Sequence, residues 1–555
     1  MLLHYTIIYT HSSKMSTQLP IQELFIRKTL TFENKFINNE IIPVPMKDAK
    51  FGVLNLQAIS TPVSVNDHDF VFMIDCSASM TDICSDNKTK MQHIIHTLKN
   101  MILYFKENPN IKNHITVNAF DDKIYNILER CTITNTNYNE VIMKIEEITP
   151  RGSTNIEMAL QNVNEVVSKI KETCPDSIIS NIFMTDGNAT TGNSNYNTLA
   201  QLVDTSISNA FIGFGIHHDS TMLNSISNRE NSAYYFIDQL ENAGYVYGEI
   251  LHGIMYKLLK NVSIRVENGL VYDYKNNIWG SSLVIGEIVS EANKIFHICS
   301  NDSDECLVTV NAHMANNIHP DDNSTYMEFI INHHNNVDDS ITFHKYIYRQ
   351  RTLQYLYMVK DYLKRKSDAN IAKDSIFMNV NKSDVTEFEK EEIKIRESLR
   401  TFIVELKNSM LENNLYEDNF MKNLCDDIYI CYRTFGTIYG DMYVSSRQRS
   451  QGVQRCYTVS HTPEDIDTHL DDDDDDDECS GGVLKPRLLT RRHTRSSIHG
   501  LKLSPPNRLS PPPLKHTMSK IRDAPYLTPT STKIMREISG KNDIDSDNDS
   551  MSVEL

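Results

Sequence analysis

The chain has 555 residues, of which 40% are hydrophobic, so it is long enough for about two to four domains with sizeable cores. Acidic side chains outnumber basic ones by 73 to 55, and the formal charge of −18 disfavours nucleic acid as the main partner of the whole chain. No stretch is long and apolar enough to cross a bilayer, and the N-terminus lacks the basic region and cleavage site of a signal peptide.

Residues 1–64 are predicted to be an N-terminal extension that contains short strands. Leu30–Phe32 is a strand-like run, and Phe51–Leu56 alternates apolar and polar side chains, which is the pattern of a strand with one buried face. We expect these strands to join a β-domain that follows later in the chain.

Strand-like and helix-like segments alternate over residues 65–260. Strands are predicted at Phe70–Ile74, Ile115–Phe120, Ile124–Leu128, Asn181–Thr185, Ala210–Ile216 and Ala233–Ile237. Helices are predicted at Lys90–Phe105, Asn139–Ile148, Asn155–Cys174, Tyr196–Ser206, Thr221–Asn228 and Asn242–Leu259. This alternation predicts an α/β domain with a doubly wound, mostly parallel sheet.

Three short polar segments of this domain carry the residues of a candidate metal site. The segment 75–79 (DCSAS) follows the first strand, 152–155 (GSTN) leads into a helix, and 185–187 (TDG) begins where another strand ends. The carboxyl ends of parallel strands share one edge of a sheet, and open α/β sheets bind ligands there. Two carboxylates and three hydroxyls suit Mg²⁺, and they offer no sulfur or imidazole ligand to zinc or copper. The candidate ligands are Asp75, Ser77, Ser79, Thr154 and Asp186.

The order D-x-S-x-S, then Thr, then D-G resembles the metal-ion-dependent adhesion site (MIDAS) of the von Willebrand factor type A (VWA) family. The resemblance covers roughly residues 65–260. It implies a Mg²⁺ or Mn²⁺ ion with one coordination position open for a carboxylate of a partner protein. Direct ligation by the hydroxyls, with the carboxylates acting through water, would leave the ion strongly electrophilic. Cys76 and Ser153 stand where the family often has smaller residues, but neither change removes a ligand.

The chain after residue 260 is predicted to form two further domains. Short strands separated by Asn, Asp and Gly predict a β-sandwich over residues 261–343. Helical patterns predict a helical domain over residues 344–445, with helices at Tyr346–Lys366, Thr386–Asn413 and Tyr416–Tyr439.

Residues 446–555 are predicted to be a disordered tail. The tail contains seven consecutive aspartates, Asp471–Asp477, and then a basic, proline-containing segment at residues 485–522. The basic segment is the one part of the chain for which nucleic acid or anionic lipid is a candidate partner. Ser504, Ser510 and Thr528 each precede a proline and are candidates for proline-directed phosphorylation.

Ten cysteines are scattered along the chain without a C-x-x-C pair or the spacing of a zinc site. This pattern predicts a reduced, cytoplasmic protein. The abundance of Asn, Ile, Lys and Asp is typical of an AT-rich genome, such as that of some protists or large DNA viruses, and a viral origin would make the protein a candidate virion component.

The leading functional hypothesis is a metal-dependent protein–protein interaction module that binds a partner's carboxylate. One alternative is a structural or virion-associated assembly protein. Another is a metal-dependent hydrolase, which would need a general base or a second metal near the site. Candidates for that role are Asp82, Asp121, Asp122, His217 and His218. Because no Walker loop, nucleophile elbow or HExxH motif is present, we expect no enzymatic activity. The sequence leaves the oligomeric state open.

Overall fold

The computed structural model of the chain describes residues 25–60, 67–83, 87–109, 111–214, 218–237, 243–315, 326–333, 342–375, 382–436, 440–455 and 526–539. The strands are β1 (Ile26–Phe36), β2 (Lys50–Ala58), β3 (His68–Asp75), β4 (Asn113–Phe120), β5 (Ile124–Thr132), β6 (Ile178–Thr185), β7 (Ser208–Phe214), β8 (Ser232–Ile237), β9 (Lys257–Glu267), β10 (Leu270–Asp273), β11 (Ile278–Gly280), β12 (Ser282–Val289), β13 (Asn293–Ser300), β14 (Leu307–Met314) and β15 (Tyr326–Asn332). The helices are α1 (Lys90–Glu107), α2 (Tyr138–Glu146), α3 (Ile156–Thr173), α4 (Tyr196–Gln201), α5 (Ser220–Ser227), α6 (Ala243–Met255), α7 (Phe343–Ser375), α8 (Lys382–Glu412), α9 (Asn419–Thr434), α10 (Gly440–Val453) and α11 (Pro529–Ile538).

The α/β domain has a central sheet of six strands in the order β5-β4-β3-β6-β7-β8. Strands β4, β3, β6, β7 and β8 run parallel, while β5 is antiparallel to β4. The predicted α/β class with a mostly parallel sheet is therefore confirmed, and the sheet is mixed only at the β5 edge.

Strand β3 shows why this sheet is covered on both faces. All eight of its residues are buried, and successive side chains of a strand point to opposite faces. Phe70, Phe72 and Ile74 pack in a core with α1 and α6, whereas Val71 and Met73 pack in a second core with α3 and α5. Helices thus lie on both faces of the sheet, as the doubly wound pattern predicts.

Two antiparallel sheets form the β-domain. One has the order β1-β2-β13-β10-β11 and the other β12-β9-β14-β15. Strand β13 pairs with β2 along the whole length of β13, so the N-terminal strands lie in the same sheet as strands that follow the α/β domain. Leu54, Ile264 and Phe329 share the core between the two sheets. The α/β domain is therefore an insertion between β2 and β9.

Helices α7, α8, α9 and α10 pack around a core of their own, with Tyr362, Phe402 and Ile428 fully buried. The sequence predicted an end to this region at residue 445, but α10 continues to Val453. The sequence ended the region too early because several polar residues of α10 are buried, and Arg447 for example donates to Asp427 Oδ1 of α9 at 3.1 Å.

Residues 526–539 also differ from the predicted tail, because they include helix α11. Thr528 caps this helix in a capping box with Ser531, and Pro529 occupies the first turn. Ile534, Met535 and Ile538 are buried against α6 and α1 of the α/β domain. The sequence analysis assigned residues 446–555 as one disordered tail from their overall polar composition, and this composition conceals the short amphipathic helix. The aspartate run and the basic segment 485–522 lie outside the described residues.

Among the described helices, none combines the length and the apolar character that a membrane-spanning segment needs. Cysteines in the described part of the chain carry free thiols, and they are Cys76, Cys131, Cys174, Cys299, Cys306, Cys425 and Cys431.

Candidate metal site

The candidate site lies at the carboxyl edge of the central sheet, where β3 and β6 end side by side. Asp75 is the last residue of β3, and Asp186 directly follows the last residue of β6. The two strands are parallel neighbours, with Ile74 paired to Met184. A short 3-10 helix, Ala78–Thr81, turns the chain over this edge directly after β3. The topology therefore brings both predicted carboxylates to one place.

A network of hydrogen bonds joins the first and third segments. The backbone N–H of Ser77 donates to Asp75 Oδ1 at 2.8 Å, and Thr185 Oγ1 donates to Asp75 Oδ2 at 2.6 Å. Ser79 Oγ donates to Asp186 Oδ1 at 2.7 Å and lies 3.1 Å from Ser77 Oγ. Each carboxylate is thus held in a fixed orientation by hydroxyl and backbone donors.

Gly187, in the third segment, lies against oxygens of the first and second segments, so all three segments meet at one small space. A Cβ atom at this position would lie 3.3 Å from Thr154 Oγ1, 3.7 Å from Ser79 Oγ and 4.0 Å from Asp75 Oδ2. A larger residue than glycine would fill the space that these oxygens surround. The residues present therefore fit a small hard cation, because they combine neutral and anionic oxygen donors around one point.

The loop that carries Thr154 is held from two sides. The backbone N–H of Thr154 donates to Thr190 Oγ1 at 2.8 Å, and the N–H of Asn155 donates to the backbone carbonyl of Asp121 at 2.9 Å. Gly152 has a φ of +68°, and a Cβ atom there would lie 2.7 Å from Asp121 Oδ2. Glycine is therefore required at position 152, both for the backbone conformation and for this close approach.

Burial dominates the electrostatics of Asp75. The residue is fully buried, and this raises the pKa of its carboxyl to about 6, although hydrogen bonds from Ser77 and Thr185 oppose the rise and Asp186 adds to it. A carboxylate with little access to water gains more from a cation than an exposed one does.

Lys90, at the start of α1, is a site residue that the sequence reasoning missed. Its Nζ lies 2.6 Å from Asp186 Oδ2 and 2.8 Å from Asp82 Oδ2. Burial lowers the pKa of Lys90, but the hydrogen bonds with Asp186 and Asp82 more than offset this and leave the pKa raised. The site thus contains a built-in cation beside one of its two buried carboxylates.

The side chains named for the hydrolase hypothesis have other partners in the structure. His218 is buried, with Nε2 2.5 Å from Tyr234 Oη and its ring against Gly213. Asp121 accepts hydrogen bonds from the Lys123 N–H at 2.7 Å and from Tyr125 Oη at 3.2 Å.

Of the remaining candidates, one lies beside the candidate metal site, one is exposed and one is outside the described residues. Asp82 pairs with Lys90, and Asp122 is exposed. His217 lies outside the described residues.

Comparison with known proteins identifies the α/β domain. Residues 70–188 match the family model of the von Willebrand factor type A domain, so the chain contains a VWA domain. VWA domains generally mediate metal-dependent protein interactions. No curated protein matches the chain.

Several solved structures are similar to this chain. The ArnB paralog VWA2 from Sulfolobus acidocaldarius is 12% identical, with a TM-score of 0.45 over 77% of this chain and 99% of its own. A von Willebrand factor type A protein from Catenulispora acidiphila is 16% identical, with a TM-score of 0.42 over 64% of this chain and 84% of its own. Proximal thread matrix protein 1 from the mussel byssus, solved with a zinc-occupied MIDAS motif, is 21% identical, with a TM-score of 0.27 over 33% of this chain and 46% of its own.

Proposed function

We propose that this chain is a metal-dependent protein-interaction module whose MIDAS binds a carboxylate of a partner protein. The observation that carries the proposal is the convergence of Asp75, Ser79 and Thr154 oxygens beside Gly187. Mg²⁺ or Mn²⁺ suits this donor set, and the ligands would be Asp75, Ser77, Ser79, Thr154 and Asp186.

The chain's own hydrogen bonds support this assignment, because they orient the oxygens before any ion arrives. Thr185 and the Ser77 N–H fix the Asp75 carboxylate, while Ser79 and Lys90 fix that of Asp186. A preorganised site loses less entropy on binding than one that must be assembled. When bound, the ion would supply an electrophilic centre for an oxygen from outside the chain.

The charge balance supports a carboxylate as the outside ligand. The buried pair Asp75 and Asp186, with Lys90, carries one net negative charge, and Asp82, which also pairs with Lys90, is exposed and screened by solvent. A bound dication would invert the sign, so that the site repels cations and attracts an Asp or Glu of another protein. Lys90 thus assists partner binding, because without it the loaded site would be neutral.

We further propose that the module acts by binding and not by catalysis. His218 is hydrogen-bonded to Tyr234 in the core, and Asp121 is engaged by Tyr125 and the Lys123 backbone, so neither is poised as a general base for a substrate at the metal edge. Phosphate release from simple esters, lost in an Asp186→Ala variant, would contradict this part of the proposal.

The test is a pull-down from cell lysate with the full chain, run in Mg²⁺ and in chelator, with mass spectrometry of the bound proteins. Asp75→Ala is the test variant, and Asp122→Ala is the matched control because Asp122 is an exposed carboxylate near the same edge. We expect a partner that is retained only in Mg²⁺ and lost in Asp75→Ala but not in Asp122→Ala.

Two results would count against the proposal. One is a set of bound proteins that is indifferent to chelator and to Asp75→Ala. The other is the absence of Mn²⁺ binding to the purified wild-type chain, which can be measured directly from the electron paramagnetic resonance signal of the free ion.

A further inference from the structure

A second candidate site lies far in sequence from the MIDAS, at the junction of the α/β domain, the β-domain and the helical domain. It is a cavity of about 730 Å³, which is within the size range of small-molecule sites. Its walls include Tyr235 of β8, Lys294 of β13, Arg349 of α7 and Arg449 of α10. The residues Tyr526, Thr528 and Ser531 of the α11 segment complete the wall.

The cavity is positively charged, although the chain as a whole has a formal charge of −18. Six Lys or Arg residues line it against three carboxylates, and one of these carboxylates, Glu287, is already paired with Lys257. Burying an uncompensated cation is costly, so a cluster of them around one space calls for a physical explanation.

Two of these cations are almost fully buried and bond to backbone carbonyls. Lys294 Nζ donates to the carbonyls of Val453 and Gln454. Arg349 donates to the carbonyls of Ile295, at 3.1 Å, and Gln451, at 2.7 Å. The Nε atom of Arg349 is buried and has no hydrogen-bond partner in the part of the chain that the structure describes.

Two further cations come from α10 and the residues just after it. Arg449 Nη2 donates to the carbonyls of Ser227, at 3.0 Å, and Ser232, at 2.7 Å, while Arg455 donates to Tyr235 Oη. Across the described residues, no ion pair joins Lys294, Arg349, Arg449 or Arg455 to a carboxylate. Neutral groups such as backbone carbonyls and a tyrosine hydroxyl thus supply their direct hydrogen-bond acceptors, and the carboxylate of Glu249 acts on Lys294 and Arg455 through its longer-range charge.

The four cations also affect one another. Burial, together with the charges of Arg455 and Arg349, lowers the pKa of Lys294 to about 7, and Glu249 opposes this shift. An anion in the cavity would relieve this repulsion, so its binding would be favoured over that of a neutral molecule of the same shape.

From this geometry we infer that the cavity binds a small polyanion that carries several phosphate groups. The clustered positive charge and the unpartnered Nε of Arg349 suit phosphate oxygens, which bind charged donors strongly, and the cavity is too large for one phosphate. A single carboxylate would leave most of the positive charge unbalanced. Bound there, the polyanion would also contact the α11 segment and hold three domains together.

The experiment uses the full chain in metal-free buffer, so that the MIDAS takes no part. Isothermal titration calorimetry is run with inorganic phosphate, inorganic tripolyphosphate, a nucleoside triphosphate and inositol hexakisphosphate. Comparison of these probes shows whether the cavity recognises the phosphate groups alone or also the molecule that carries them. We expect saturable binding of one polyphosphate probe per chain and at least tenfold weaker binding of inorganic phosphate.

Lys294→Met and Arg455→Gln are the test variants, and each should weaken binding at least tenfold. Arg265→Gln is the matched control, because Arg265 is an exposed cation of β9 outside the cavity. Asp75→Ala should bind the polyanion normally, which separates this site from the MIDAS.

The proposal is overturned if the wild-type chain binds none of the polyphosphates, or if all variants bind equally. It is also overturned if binding appears only after deletion of Asp471–Asp477, since the chain's own aspartates would then be the occupant. If a variant fails to fold, hydrogen exchange of the wild type with and without polyphosphate tests the proposal instead. Bound polyphosphate should slow the exchange of amides in residues 526–539. Unchanged exchange there would contradict the proposal.

Discussion

The packing of α11 on α6 can be tested with two glycines of the same helix. A Cβ atom at Gly248 would lie 2.6 Å from the Cα of Met535, whereas a Cβ atom at Gly253 would meet nothing within 4 Å. Gly248→Ala and Gly253→Ala therefore make the same chemical change in α6, one against α11 and one in open space.

The magnitude follows from two opposing effects. Alanine is favoured over glycine inside a helix by about 1 kcal/mol, and both variants gain this equally. Forcing a methyl group against a backbone atom at 2.6 Å requires α11 to shift, and overpacking of this kind costs about 1–3 kcal/mol. The difference between the two variants thus isolates the packing of α11, about 1–3 kcal/mol in its free energy of local opening.

Native-state hydrogen exchange of residues 526–539 in the full chain is the assay, because unfolding of a multidomain chain is rarely a single transition. We expect faster exchange of these amides in Gly248→Ala than in Gly253→Ala. Equal protection of α11 in the two variants would refute the reasoning, since it would mean that the close approach of the two helices is not maintained in solution.

Three further predictions concern single side chains. Lys90→Met should raise the Mn²⁺ affinity about tenfold or more, because an ammonium group at the site repels a dication. The control Lys99→Met, on the same helix, should leave the affinity unchanged. Both affinities are measured from the electron paramagnetic resonance signal of free Mn²⁺. Burial lowers the pKa of Lys294 in the folded state, so the unfolded state binds more protons above pH 7. The wild type without polyanion should therefore gain stability from pH 7 to 9, by up to about 1.4 kcal/mol per pH unit relative to Lys294→Met. Native-state hydrogen exchange of β13, corrected for the pH dependence of intrinsic exchange, measures this difference. Thr528→Ala should lower the opening free energy of α11 by about 1 kcal/mol in hydrogen exchange, because the backbone N–H of Ser531 loses its cap at 3.1 Å, and unchanged exchange would show that the cap contributes nothing.

The parts that could be predicted from the sequence are those in which local pattern and topology agree. The alternation of strands and helices predicted the sheet, and the D-x-S-x-S segment after β3 predicted which edge carries the polar oxygens. Thr154 could be added because its place in the order resembles a known family. Asp75 and Asp186 then had to meet, since parallel neighbouring strands end at the same edge.

Lys90 and α11 could not be predicted because both depend on distant contacts. The position of Lys90 beside Asp186 depends on the packing of the start of α1 near the end of β6, 96 residues away in sequence, and no local pattern indicates that contact. The carbonyl of Ile538 accepts from Asn100 Nδ2 at 2.8 Å across 438 residues of sequence. Helix α11 is only ten residues long, and its few apolar residues are too weak a pattern to predict a helix without knowledge of the surface of α6 and α1 on which it packs.

The insertion of the α/β domain has a mechanical consequence. Both of its connections reach the turn between β12 and β13, where the Ala58 N–H donates to the Ala292 carbonyl and the Ser290 N–H donates to the Tyr256 carbonyl, each at 2.8 Å. The candidate metal site lies at the opposite end of β3. A force applied at the candidate metal site would therefore act along the strands and shear the hydrogen bonds between β3 and its neighbours. The two chain connections would share this force, and together they would resist rotation of the domain about either connection.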